Sequence, residues 1–180
     1  LILSRHTIEH IEDPVTFLSH INDSLRGISA PIFIETPDVR WILERGEIQD
    51  FFYEHCSLFA PSSMEQALRR AGLTPIAIET VFGDQYLWVE ARLGRAGGQT
   101  YPMDVGISDL APSRRSFISE WQKRISDAPQ PVMVWGAGAK GVTFCFLVDP
   151  ERRLIADVLD INPNKQQHFI PVSGHAVIAP

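Results

Sequence analysis

The clearest signal for the fold lies in residues 1–35, LILSRHTIEHIEDPVTFLSHINDSLRGISAPIFIE. The apolar run at residues 1–4 indicates a buried strand. Asp13-Pro14 indicates a helix start, because Asp is a favoured N-cap residue and Pro suits the first helical position. Gly27 marks the end of that helix, and a second apolar run follows at residues 31–35. The order strand, helix, strand predicts a parallel sheet and an α/β fold.

The next part of the chain predicts a helix and a hairpin. Ser62-Ser63-Met64-Glu65 has the capping-box pattern, with Ser at the cap and Glu three residues later. Two strand-like runs, 76–82 and 85–91, flank Gly83-Asp84, which predicts a hairpin with a two-residue type II′ turn. We expect residues 1–93 to form one domain that ends in this hairpin.

Residues 94–130 predict a linker rich in Gly and Pro, followed by a helix over 113–125. Residues 131–160 then have the order strand, glycine turn, helix, strand, which indicates the start of a second, Rossmann-like βαβ unit. The rest of the chain looks like loop. We therefore expect a separate second domain over residues 131–180.

Composition limits the class of protein. The 180 residues carry a formal net charge of −6, which disfavours a nucleic-acid partner. The sequence has no apolar run of about 18 residues, so we expect no membrane-spanning segment and no membrane partner. Its two cysteines give no disulfide framework and suit the cytoplasm, which is where we expect the protein to act. We also expect the isolated chain to form a homodimer or to aggregate, through the unpaired edge of the strand at residues 1–4 or through an unfinished C-terminal sheet.

The glycine turn Gly136-Ala137-Gly138-Ala139-Lys140-Gly141 matches the G-x-G-x-x-G pattern between a strand and a helix. Asp160 follows about 20 residues later, near the position where dinucleotide-binding proteins carry an acid. Glycine allows backbone amides to approach a phosphate at a helix N-terminus. Gly136, Gly138, Lys140, Gly141 and Asp160 are therefore candidate nucleotide-binding residues. The alternative is a tight turn without a ligand, because the fold does not determine the ligand.

Two further motifs carry titratable side chains. The segment 6–10, HTIEH, matches H-x-x-E-H, a zinc-peptidase pattern that requires a helix and a third ligand. Neither is evident, so we predict no metal site and expect His10 to lie at a strand end facing a cleft. The segment 53–56, YEHC, places a carboxylate, an imidazole and a thiol together. His55 is a candidate general base. Adjacent side chains seldom point the same way, which disfavours a Cys–His nucleophile pair formed by Cys56 and His55.

Several segments together resemble one enzyme family. RHTIEHIEDPVTFL, residues 5–18, resembles the region around the fourth strand of class I S-adenosylmethionine (SAM) methyltransferases. Residues 35–73, with the hairpin ending FGDQYLWVEA, resemble one subfamily, the three-domain sugar C-methyltransferases that act on nucleotide-linked deoxysugars. VWGAGAKGVTF at 134–144 and DINPNKQQHFIPVSGHAV at 160–177 resemble the opening of its C-terminal Rossmann-like domain. The resemblance covers nearly the whole chain and is weakest over 94–130.

The resemblance implies roles for particular residues. His10, Glu54 and His55 match family residues that line the sugar pocket, and His55 matches the proposed general base. The family often has Tyr-Asp-Glu-His where this chain has Phe52-Tyr53-Glu54-His55, so the tyrosine is displaced by one and receives no role.

The implied reaction is methyl transfer from SAM to a carbon beside a keto group of a sugar nucleotide. The family's SAM-binding glycine loop and zinc-binding cysteines have no counterpart in these residues. We therefore expect the back half of a methyltransferase domain, with its closing antiparallel hairpin, within a longer protein, and an isolated chain that is inactive. The alternative is a nucleotide- or NAD-binding Rossmann module of an oxidoreductase, which would explain the glycine turn but not His10.

Overall fold

The computed structural model describes residues 1–94, 97–103 and 110–180, which form two compact units. Unit 1 comprises Leu1–Arg45 and His55–Ile107, and unit 2 comprises Gly46–Glu54 and Ser108–Pro180. The structure contains helices together with strands that pair both in parallel and antiparallel, which confirms the mixed α/β fold class. Part of the predicted linker lies outside the described residues.

Unit 1 is built around a four-stranded sheet with the order β1-β2-β4-β3. Its elements are β1 (Ile2–Arg5), a 3-10 turn (Ile8–His10), α1 (Pro14–Ser24), β2 (Ile32–Pro37), α2 (Val39–Arg45), α3 (Pro61–Arg70), β3 (Leu73–Val81) and β4 (Tyr86–Leu93). Strands β1 and β2 are parallel, as predicted, with Ile2 paired with Ile32. Strand β4 runs antiparallel to both β2 and β3, so the sheet closes with the expected hairpin.

Alternate residues of the central strands supply the core of unit 1. Ile32 and Ile34 of β2 and Val89 of β4 are fully buried, as expected where every second side chain faces the same side of a sheet. Helices α1 and α3 contribute Leu18 and Leu68 to the same cluster. The predicted N-cap of α1 is confirmed, because Asp13 Oδ1 accepts a hydrogen bond of 3.0 Å from Thr16 N.

Two local predictions in unit 1 are wrong. Helix α3 begins at Pro61, so its N-cap is Ala60 rather than Ser62. Ser63 Oγ accepts from Ala60 N at 2.9 Å, and Pro61 at the first helical position sets this earlier start. The hairpin turn has four residues instead of two, because Val81 pairs with Tyr86. Phe82, Gly83 and Asp84 all have positive φ there, which a type II′ turn does not require.

Unit 2 contains a three-stranded parallel sheet of order β5-β6-β7 and two long helices. Its elements are a 3-10 turn (Ile48–Asp50), α4 (Leu110–Asp127), β5 (Val134–Trp135), α5 (Ala139–Val148), β6 (Val158–Leu159) and β7 (Val177–Ile178). The predicted βαβ order is present, although β6 is only two residues long. Strand β7 lies in the region expected to be loop, so that expectation is wrong.

A buried polar cluster joins the end of α5 to the segment before β7. His175, fully buried, lies 3.2 Å from Asp149 Oδ2 through Nε2 and 2.9 Å from Ser173 Oγ through Nδ1. A carboxylate only accepts, so Nε2–H donates to Asp149. Asp149 also accepts from the backbone N–H groups of residues 153, 154 and 155.

The hydrogen-bonded series of a serine, a histidine and an aspartate resembles a catalytic triad. It is not accessible to a substrate, however, because Ser173 is 5% exposed and the His175 ring is fully buried. The cluster instead holds the turn after α5. Burial alone would raise the pKa of the Asp149 carboxyl, but the N–H groups of Arg153, Ile155 and Leu154 and the His175 ring lower that pKa below its ordinary value.

We expect Asp149→Asn to lower the free energy of unfolding of unit 2 by about 2–4 kcal/mol at pH 7, because buried N–H donors lose a charged acceptor. The stabilisation from Asp149 is fully present above the ordinary carboxyl value of 3.8 and is lost as the pH falls through the lower folded-state pKa. Urea unfolding at pH 7 and near pH 2.5 measures both effects, and the difference should shrink at the lower pH. Glu151→Gln, at a nearby exposed carboxylate, is the control and should change little. Equal stability of Asp149→Asn and wild type at pH 7 would contradict a stabilising role for the cluster.

Candidate active site

The carboxyl ends of β1 and β2 lie at one edge of the sheet because the two strands are parallel. Arg5, the last residue of β1, donates from Nε and Nη2 to Glu35 Oε1 on β2, at 3.0 and 2.8 Å. His6 follows with a positive φ of 48° and places Nε2 3.0 Å from the same carboxylate oxygen. Glu35 is 2% exposed, so the Arg5 guanidinium compensates a buried charge at the strand ends.

Glu9 is the second buried carboxylate at this edge, with 1% exposure. Its Oε2 accepts a hydrogen bond of 3.0 Å from the Thr36 hydroxyl on β2. Its Oε1 is buried and accepts no hydrogen bond from the described residues, and His6 Nδ1 lies 3.5 Å from it. One oxygen of Glu9 is therefore anchored, while the other retains hydrogen-bonding capacity.

The rings of His10 and His55 pack edge to face, with centroids 4.9 Å apart and planes at 77°. Backbone contacts bring these distant residues together. Ser57 N donates to Glu9 O at 3.1 Å, and the Cys56 thiol donates to His10 O at 3.6 Å. His10 is exposed and His55 half-buried, so the imidazole pair is open to solvent.

This geometry joins two of the three predicted catalytic residues. It also adds Glu9, which the sequence analysis did not single out: ligand-type atoms of Glu9, His10 and His55 all lie within 4.8 Å of one another. The H-x-x-E-H pattern offered one signal for Glu9. That pattern does not describe the cluster, however, because His6 lies on Glu35 and the third member, His55, comes from later in the sequence.

Glu54 belongs to unit 2 by its contacts, although His55 belongs to unit 1. A hydrogen bond to the Glu54 carboxylate raises the pKa of the exposed Tyr53 hydroxyl above its ordinary value. A catalytic role for Glu54 stays a prediction. The Cys56 thiol donates to the backbone carbonyl of His10, a contact that does not activate the sulfur as a nucleophile.

The glycine turn of unit 2 is built as tightly as its sequence predicts. A Cβ on Gly141 would lie 1.9 Å from the Gly136 carbonyl oxygen, and Gly136 has a φ of 102°. Gly138 is the N-cap of α5. The glycines therefore let the strand enter the helix without a clash.

Asp160 is held against this turn. Its carboxylate accepts from Ala137 N and Asn162 N, both at 2.8 Å, and these bonds lower the pKa of Asp160 below its ordinary value. Lys165 Nζ donates to Ala137 O at 2.9 Å. Lys140 Nζ lies 2.7 Å from Asp50 Oδ1, within the same unit. Nucleotide binding by these residues stays a prediction.

Residues 1–78 match a family model described as a methyltransferase domain, which covers less than half of the chain. No curated protein matches the chain. With the parallel pair β1–β2 and the closing hairpin, the match supports a methyltransferase domain of Rossmann-like α/β fold in unit 1. Among the described residues, no helix is long and apolar enough to cross a membrane.

We expect Gly141→Ala to destabilise unit 2 by about 1–3 kcal/mol or more, because the added methyl group meets a backbone carbonyl that cannot move freely. Gly138→Ala is the matched control, since a Cβ there meets nothing within 4 Å. Urea unfolding followed by circular dichroism compares the two variants. If Gly141→Ala were as stable as Gly138→Ala, the tight packing of the turn would be refuted.

Proposed function

We propose that this chain belongs to a SAM-dependent C-methyltransferase, in which His55 removes a proton from a carbon beside a keto group of a nucleotide-linked sugar. The observation that supports this is the pairing of His10 with His55 at the carboxyl edge of the sheet, within the segment that matches a methyltransferase domain. Ligand sites of parallel α/β sheets lie beyond that edge. Imidazole is also suited to proton transfer near neutral pH.

In the proposed reaction the C–H bond breaks and its proton passes to an imidazole nitrogen of His55. The electron pair delocalises onto the keto oxygen, where His10 stabilises the developing negative charge. With SAM bound, the carbon would form a bond to its methyl group while the bond between that methyl group and the sulfonium sulfur breaks, and the neutral thioether would leave. His55 finally releases its proton to solvent, which restores the base.

The SAM site is not assigned to residues of this chain. In the described part of unit 1 no glycine-rich turn follows β1 or β2. His10 and His55 are proposed for the methyl-accepting half of the reaction. We propose a nucleotide-linked keto sugar as the substrate and a homodimer as the assembly. Diphosphate binding by the Gly136 turn and Lys140 is proposed for unit 2 by itself.

We expect His55→Ala, in the complete protein, to lower turnover by roughly 10²- to 10⁴-fold while leaving SAM affinity nearly unchanged, because a general base acts on the sugar. Methyl transfer to a keto-sugar nucleotide and proton–deuterium exchange at the accepting carbon are measured together. His10→Ala should reduce activity less, and Cys56→Ser should have little effect. His20→Ala, at an exposed histidine of α1, is the control. Exchange at the wild-type rate in His55→Ala would show that another group removes the proton.

A nucleotide-binding role for unit 2 without methyl transfer is the second candidate, favoured by the tight glycine turn and by Asp160 beside it. Titration with NAD and with a nucleoside diphosphate, followed by tryptophan fluorescence, separates the two. Diphosphate binding that Lys140→Ala weakens, without binding of NAD, would favour the sugar-nucleotide reaction. Tight binding of NAD, and hydride transfer with it, would favour an oxidoreductase.

A further inference from the structure

Glu9, His10 and His55 present one carboxylate and two imidazoles to a common point. These are donors that Zn²⁺ and neighbouring first-row metal ions take in proteins. Their ligand-type atoms lie within 4.8 Å of one another. Ligand atoms of tetrahedral zinc are about 3.4 Å apart, given bonds of about 2.1 Å. The donors therefore need to approach by little more than an ångström, which side-chain rotation supplies.

The buried carboxylate is the strongest sign of a ligand. Glu9 is 1% exposed, and its Oε1 accepts no hydrogen bond from the described residues, with His6 Nδ1 at 3.5 Å. A buried carboxylate oxygen left this way costs free energy unless a cation compensates it. The other oxygen is fixed by Thr36, in the way that outer contacts orient metal-binding carboxylates.

Access and backbone geometry also suit an ion. The exposed His10 ring opens the cluster to solvent, so an ion can enter and keep water on its free coordination positions. The Ser57 N–H to Glu9 O bond holds the His55 segment against the strand-end turn. Glu9 and His10 lie in one turn, and His55 lies in the segment tethered to it. This arrangement limits the distances between the three donors.

We propose that Glu9, His10 and His55 bind one divalent transition-metal ion of the Zn²⁺ class. The ion and the proton then compete for His55. A metal-bound imidazole nitrogen has no free electron pair for a C–H proton, so the ion blocks methyl transfer. This consequence rests on the proposed function, whereas the metal site itself does not.

Calorimetric titration of the 180-residue chain with Zn²⁺, and visible absorption of the Co²⁺ form, test the site directly. We expect one equivalent to bind with micromolar affinity or better. His10→Ala and His55→Ala should each weaken binding at least tenfold, and Glu9→Gln should do the same with little change of shape. His20→Ala and Cys56→Ser are controls that should bind as wild type does. His10→Ala alters an exposed side chain, so the test does not depend on a variant that fails to fold.

Absence of binding below millimolar Zn²⁺, or binding that His10→Ala and His55→Ala leave unchanged, would overturn the site. Loss of binding in Cys56→Ser would overturn the donor set. In the complete protein, Zn²⁺ should inhibit methyl transfer and a chelator should reverse the inhibition. Activity lost to the chelator and restored by Zn²⁺ would overturn the competition. If His55→Ala loses the metal but keeps proton exchange, the site stands and the base assignment fails.

Discussion

Parallel pairing of β1 with β2 is the constraint on which the candidate site depends. It brings the ends of two strands to one edge, where Arg5 and His6 meet Glu35 and where Thr36 meets Glu9. A shift of one residue in this register would move the side chain of Glu35 to the other face of the sheet, and that of Thr36 likewise. The buried carboxylates would then lose their partners, and a buried charge left unpaired costs roughly 3–5 kcal/mol.

Backbone hydrogen bonds complete the site where side-chain chemistry alone would not. The peptide N–H of Ser57 and the carbonyl of Glu9 form a link that does not depend on the identity of either side chain. His55 reaches His10 because of this link. A side-chain substitution at Ser57 therefore leaves this link in place.

Local chemistry made some features predictable from the sequence. Asp13-Pro14 carries its own cap, and the close approach at Gly141 excludes other residues. The resemblance led to His10 and His55, which the structure brings together, but it did not reveal Glu9. The turn after Val81 was mispredicted because strand register, a long-range property, set its length. Strand β7 has only two residues, too few for a periodic pattern to show.

The path of the chain between the units has a consequence for dissection of the protein. Residues 46–54 leave the first unit, pack with the second, and return one residue before His55. Ile48 in this excursion is 6% exposed, and the 3-10 turn that carries it packs on α4 and α5 of unit 2. A truncation that kept residues 1–93 would remove α4 and α5 and so expose this apolar side chain to water. Each unit is thus discontinuous in sequence, and no single cleavage releases either of them intact.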